Sequence, residues 1–421
     1  MPSGLVPSRS VLPNGTVLLA KHTRATPAVT INIAIRAGSI CDPADAPGAV
    51  HLLSKVIDRG TATRSADDIA EALDSRGISL SVTVTRHLFS LICTCLVDDF
   101  ADVLTLLADL VQAPTLPEAE LATRKGEVVT GLRQDEDNPG VRATEALMEL
   151  LYPPPHPYGR RGKGTTAVVE SLTRERLAAL HASRFAPCET SVVVVGDVEP
   201  GHAEAVVARA FGGWSVRNPT AIPAMPVTAA AIGRRVVIPM MNKAQADIAY
   251  GFTTLTRSDP GYYACWLMNH AFGQYSMSGR LGDSIRERQG MAYYVYSTLD
   301  ANVMEGPLSI RAGVSASNIE RAVASIDEEV GRLVRDGLTQ KELDDSRRSL
   351  IYAMPRALET NAGIANFLQT AEFFGLGLDF DVRVPDLLRA VTLDEANAAA
   401  RKFLSVDRAA VVIAGPVPAA R

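Results

Sequence analysis

Aromatic residues make up only 5% of this 421-residue chain, and cysteine occurs five times, at Cys41, Cys93, Cys95, Cys188 and Cys265. An odd, scattered set of thiols describes no disulfide framework, and none sits at CxxC or zinc-ligand spacing. Cys93 and Cys95 instead share one face of an apolar, alternating run. No apolar stretch approaches the ~18–20 residues needed to cross a bilayer. Positive charge is not in excess: 42 Lys and Arg stand against 47 Asp and Glu, a net charge of −5. That balance excludes a generally basic nucleic-acid binder. The opening Met1-Pro2-Ser3-Gly4-Leu5-Val6-Pro7 has no basic stretch leading into a long apolar one. No secretory signal is expected, and the cytoplasm is the default compartment, with the periplasm left open. Several chemical signatures are missing too. There is no GxSxG elbow and no HExxH helix, and Gly159-Arg160-Arg161-Gly162-Lys163-Gly164 lacks the Ser or Thr a phosphate loop needs after its lysine.

What is present is a duplication. Arg184-Phe185 leads to Val192-Val193-Val194-Val195-Gly196, and Lys402-Phe403 leads to Val411-Val412-Ile413-Ala414-Gly415. Asp42-Pro43 matches Asp259-Pro260, and Gly77 matches Gly290. All four landmarks keep their order at offsets between 213 and 219 residues. Periodicity predicts strands over 16–21, 28–36, 79–85, 89–96 and 191–195, with helices over 48–59, 65–75, 100–111, 117–134 and 173–183. The second half repeats the pattern, with strands over 235–239, 245–253, 292–300 and 308–313 and helices over 261–272, 318–336 and 340–360. Residues 218–232, with three prolines and no charge, read as a linker. The expected domains are therefore 1–217 and 233–421. The amphipathic strands and mixed element order argue for an α+β fold, each half a mostly antiparallel sheet with helices on one side.

One segment in the first half carries a chemical pattern. Gly48-Ala49-Val50-His51-Leu52-Leu53-Ser54-Lys55-Val56-Ile57-Asp58-Arg59-Gly60-Thr61 resembles the zinc helix of the pitrilysin-type, insulinase-like metallopeptidases, written HxxEH and followed by Gly-Thr. In that motif two histidines four residues apart bind zinc and the Glu between them activates the metal-bound water. Here His51 keeps the first position, Ser54 replaces the general base and Lys55 replaces the second ligand. The family's third ligand, a glutamate, precedes a segment like Glu136-Asp137-Asn138-Pro139, which places Gly131 at that position. One imidazole beside an ammonium cannot hold zinc, which needs about three deprotonated ligands. His51 is expected to be packed or hydrogen-bonded, with no metal in this chain.

The resemblance runs through His156-Pro157-Tyr158-Gly159 and Val193-Val194-Val195-Gly196-Asp197 to a second signature, Ser278-Gly279-Arg280-Leu281-Gly282-Asp283-Ser284-Ile285-Arg286-Glu287-Arg288-Gln289-Gly290-Met291-Ala292-Tyr293-Tyr294-Val295-Tyr296-Ser297. In the family an Arg and a Tyr seven residues apart in this signature fold over the zinc site, and they correspond to Arg286 and Tyr293. On the residues alone Arg286 reads as a surface helix arginine and Tyr293 as an ordinary strand aromatic. The resemblance implies instead that the phenol donates to an oxyanion and the guanidinium holds substrate carbonyls. Arg280 reads as a bridge between helices. Ser81-Val82 and Arg86-His87 replace the residues that active relatives present on their substrate edge, and Gly273-Gln274-Tyr275-Ser276 is at most a short loop.

The resemblance implies a clamshell of two homologous halves and a division of labour. The family includes short members that work as heterodimers, in which one subunit bears zinc and the other supplies the Arg and Tyr and part of the chamber around an unfolded peptide. This chain is similar to the second kind. It is expected to lack peptidase activity alone and to complete the site of a zinc-bearing homologue. The alternative is a nonenzymatic structural or peptide-binding subunit, like the core proteins of the respiratory cytochrome complex or a homodimer.

Overall fold

The computed structural model describes residues 4–216, 220, 226, 233–274 and 279–417. The chain forms two compact units, each assembled from separated stretches. The first takes Met1–Leu132, Arg161–Ala224 and Pro355–Asp381; the second takes Arg133–Arg160, Met225–Met354 and Val382–Arg421. Of the linker expected at 218–232, all but Thr220 and Pro226 lies outside the described residues.

The first unit is built on strands β1 (Ser8–Val11), β2 (Val17–His22), β3 (Ala28–Ile35), β4 (Ser81–Val84), β5 (Phe89–Leu96) and β6 (Thr190–Gly196), in the order β1-β2-β6-β3-β5-β4. Only β2 and β6 run parallel; the other pairs are antiparallel. Alternation sorts the side chains of β3 by face. Ile31, Ile33 and Ile35 lie on one face with Leu91 and Phe89 and are completely buried. Phe89 there meets Phe185, just beyond helix Arg174–Arg184, edge to face at 5.0 Å. Cys93 and Cys95 lie buried on β5 as free thiols. On the other face Leu19, Val193 and Val195 form a cluster with Ile364, Ala365 and Leu368 of helix Asn361–Phe373. Asn32, nearly buried on that face, donates through Nδ2 to Asn366 Oδ1 at 2.9 Å.

The second unit repeats the plan. Strands β7 (Arg234–Pro239), β8 (Gln245–Thr253), β9 (Ala292–Leu299), β10 (Pro307–Ser315) and β11 (Ala410–Gly415) run in the order β7-β11-β8-β10-β9, again with one parallel pair, β7 and β11. One face of this sheet receives helix Pro139–Leu151, whose Leu147 and Leu151 fill the space where Gly251 has no Cβ. Each sheet is thus crossed by a helix drawn from the opposite half of the sequence. Placing residues 139–151 beside β8 is what carries the segment Glu136-Asp137-Asn138-Pro139 into the second unit.

The landmarks of the duplication keep their local geometry. Asp42, almost fully buried, accepts the amides of Gly48 and Val50 at 2.8 Å each and caps helix Ala49–Val56. Asp259 accepts the Gly261 amide at 2.7 Å at the start of helix Tyr262–Asn269. Gly77 and Gly290 have φ of 66° and 60°, and Gly196 and Gly415 have 150° and 152°. A Cβ at Gly415 would also sit 2.6 Å from Ala246 Cα. These are backbone positions that glycine occupies without steric cost.

Some elements differ from the sequence expectation. Helix Pro139–Leu151 was absent from it, as were β1, Pro200–Phe211, Phe380–Ala390 and Leu393–Phe403. The helix expected over 340–360 stops at Ala357, and Thr360 caps a new one at Asn361 by accepting the Gly363 amide. The helix before Gln289 is a π-helical segment, Gly282–Arg288, wound more loosely than a 3.6-residue period. Among the described residues no helix is long and apolar enough to cross a membrane.

Candidate functional site

Helix Ala49–Val56 carries the remnant of the zinc motif. Ala49, Val50, Leu52, Leu53 and Val56 are buried and set its orientation, leaving His51 half-buried and Lys55 exposed. Ser54, at the general-base position, is buried, and its hydroxyl donates back to the His51 carbonyl at 2.7 Å. A serine side chain bonded to its own helix activates nothing outside it. Asp58 is the acidic group nearest in sequence; burial raises its pKa, while the charges of Arg59, Arg124 and Lys55 pull it down. Gly131 sits in helix Glu118–Glu136, and nothing lies within 4 Å of the Cβ it lacks.

These residues do not fit a zinc ion. The motif offers a single imidazole, and two of its ligand positions hold an ammonium side chain and a hydrogen atom. Among the described residues no group of three or more His, Cys, Asp or Glu side chains is placed to hold a metal. His156-Pro157-Tyr158-Gly159 has a structural role in the second unit. His156 Nδ1 accepts the Tyr158 amide at 3.1 Å, and burial lowers its pKa. The Tyr158 hydroxyl accepts the Met304 amide at 3.3 Å, tying the turn to the 304–305 loop.

The described part of the second signature, residues 279–297, lies in the second unit; Ser278, like Tyr275 and Ser276 of the short loop before it, lies outside the described residues. Arg280 bridges helices, as its position suggested. Its Nε and Nη2 bond the Glu342 carboxylate at 2.5 and 2.8 Å, and Nη2 also reaches the Gly337 carbonyl at 2.7 Å. Arg286 belongs to the π-helical segment and is 42% exposed, with Glu287 no nearer than 3.7 Å. The Gly290 amide donates to the Arg286 carbonyl at 3.0 Å, and the left-handed Gly290 turns the chain into β9.

Tyr293 is 65% exposed, and the cause is a register break that alternation does not forecast. Gly313 pairs with Tyr294, but Val314 pairs with Ala292, leaving Tyr293 as the extra residue of a β-bulge. In an unbroken strand Tyr293 would share the face of Val295 and Val314, both buried. The bulge puts Ala292 there instead and turns the phenol outward. Tyr294 points to the other face, where its hydroxyl donates to Asp247 and its ring lies 5.8 Å from that of Tyr296. β9 is the last strand of its sheet, as β4 is of the first.

Comparison with known proteins settles the family. Residues 17–154 match the insulinase family, peptidase family M16, and residues 171–350 match the peptidase M16 inactive domain. The chain belongs to the insulinase-type, M16 family. It is 27% identical to an uncharacterized zinc protease of Mycobacterium tuberculosis, over 98% of this chain and 94% of that one. A Helicobacter pylori relative described as a non-peptidase homolog is 22% identical over 87% of this chain and 84% of its own length. The crystal structure of a peptidase M16 inactive domain from Pseudomonas fluorescens superposes with a TM-score of 0.91 at 27% identity, covering 99% of both chains. In this M16 chain the zinc-motif positions hold Ser54, Lys55 and Gly131, and the described residues contain no metal-binding cluster.

Proposed function

We propose that this M16 chain is the zinc-less subunit of a two-chain metallopeptidase, supplying Arg286 and Tyr293 and part of the peptide chamber to a zinc-bearing homologue. The observation that carries this reading is the bulge, which spends regular strand pairing to hold Tyr293 outside the buried face. A surface tyrosine with no task gains nothing from such a device. Arg286 stands exposed on the segment leading into the same strand. In this role the Tyr293 phenol donates a hydrogen bond to the oxyanion that develops on the scissile carbonyl. The Arg286 guanidinium holds a neighbouring backbone carbonyl of the peptide. The end strand β9 offers an extended, unfolded substrate a sheet edge to join.

The loss at Ser54, Lys55 and Gly131 alone is also what a nonenzymatic, peptide-binding subunit would carry, and the description of the Helicobacter pylori relative favours that second reading. Co-purification from the native source separates the two. A zinc-bearing homologue of similar size should be recovered with this chain, and peptide hydrolysis should need both. Recovery of this chain only with itself, or hydrolysis by the zinc-bearing chain at full rate without it, contradicts the proposal.

A further inference from the structure

The β9 bulge leaves one question open: why it stays where it is. A bulge can migrate along a strand pair, and a shift by one position would return Tyr293 to the buried face and disturb Ala292. Three features fix it. Gly313, directly opposite Tyr294, has no side chain, and a Cβ there would lie 2.6 Å from Tyr294 Cε1 and 3.1 Å from Cδ1 and Cζ. The ring therefore lies flat across β10, and its hydroxyl reaches Asp247 on β8, two strands away. Asp247 is itself held by Arg311 Nη2 at 3.2 Å, and its side chain is only 13% exposed.

The lid on this trio is the start of helix Pro139–Leu151. Asn138 caps that helix by accepting the Gly140 amide at 2.9 Å, and Gly140 rests on the Asp247–Arg311 pair. A Cβ at Gly140 would meet Asp247 Oδ1 at 2.9 Å and collide with the Arg311 guanidinium. Lys243 and Asp137 pair at 2.5 Å beside the same cap. The Glu136-Asp137-Asn138-Pro139 segment thus abuts the network behind β9. Asp247 Oδ1 accepts both the Tyr294 hydroxyl and Arg311 Nη2, so the three side chains are coupled through one shared acceptor, while Arg311 Nε is left without a hydrogen-bond partner.

We infer that Tyr294, Asp247 and Arg311, closed over by Gly140, are positioning residues that lock the β9 bulge and thereby fix the direction of the Tyr293 phenol. The inference deepens the proposed function, on which the value of that direction rests, but the lock itself is a property of this chain alone. Tyr294 touches no reacting atom; it acts through Tyr293. Any shift of the lock is transmitted over one residue of backbone.

The test uses the full chain and two readouts: nitration of Tyr293 by tetranitromethane, located by peptide mass mapping, and amide hydrogen exchange over residues 291–295. Tyr294→Phe and Asp247→Asn should each slow Tyr293 nitration at least about threefold and raise exchange in that segment about tenfold. Thr298→Val, which removes a side-chain hydrogen bond to Ser309 across the same two strands, should leave Tyr293 nitration at the wild-type rate. Two variants guard against one failing to fold. Wild-type nitration and exchange in a folded Tyr294→Phe or Asp247→Asn chain overturns the lock, and so does an equal effect of Thr298→Val. In the two-chain enzyme Tyr294→Phe should lower kcat about tenfold with KM within about twofold. An altered bulge with unchanged kcat would uphold the lock and overturn the functional reading instead.

Discussion

Ser54 gives its hydroxyl hydrogen bond to the carbonyl of His51, 2.7 Å away and three residues back along the same helix. The residue at the general-base position is thus tied to the backbone of the one remaining ligand position rather than turned towards a metal-bound water. Elemental analysis of the purified chain should find zinc well below one equivalent, and His51→Ala should not change the content. Zinc at one equivalent, lost on His51→Ala, would contradict the reading of this helix.

Gly131 lies inside a 19-residue helix with open space at its missing Cβ. An interior glycine costs a helix about 0.8–1 kcal/mol relative to alanine. Gly131→Ala should therefore stabilise the chain by about that amount, read as a higher urea midpoint at unchanged slope. A destabilised Gly131→Ala would mean that the position is crowded.

Asp42 caps its helix with two amide bonds from a buried site, whereas Asp259 makes one from a more open position. Hydrogen bonds to a charged group contribute roughly 1.5–3 kcal/mol each when burial leaves no replacement by water. Asp42→Ala should cost about 3 kcal/mol and Asp259→Ala distinctly less, measured by urea unfolding. Equal costs would contradict a dependence on the second amide bond and the deeper burial of Asp42.

Burial raises the Glu342 pKa, but hydrogen bonds from Arg280 and from the Thr339 amide and hydroxyl outweigh it and bring the carboxyl down to about 2. The unfolded chain binds this proton near 4.5, so folding is favoured while the group is ionised. That contribution is complete above pH 4.5 and is lost as the pH falls from there towards 2. Thermal stability should decline across this window, and Glu342→Gln should be less stable at neutral pH with a shallower decline. An identical pH profile in Glu342→Gln would remove the Arg280 clamp from the account.

Much of this was legible in the residues. The repeated Gly196 and Gly415 followed their β runs at a constant offset because each must take a backbone conformation other residues avoid. Arg280 could be read as a bridge, and the broken zinc motif stood in plain sequence. The bulge could not be read, because Ala292-Tyr293-Tyr294-Val295 looks like any amphipathic strand until its partner's register is known. Helix Pro139–Leu151 hid behind Pro139-Gly140, which resembles a turn. The missed signal was Asn138 before Pro139, a capping residue followed by proline in the first helical turn. Its docking beside β8, like that of Asn361–Phe373 beside β6, depends on contacts between distant parts of the chain that no local pattern encodes.

The exposed phenol of Tyr293 is where the account is most directly tested. With a zinc-bearing homologue bound and a peptide substrate at saturation, Tyr293→Phe keeps the ring and removes only the donor. Loss of one oxyanion donor lowers turnover about 10²–10³-fold. The account predicts a fall in kcat of that order with KM nearly unchanged; a Tyr293→Phe enzyme that turns over at the wild-type rate would contradict it.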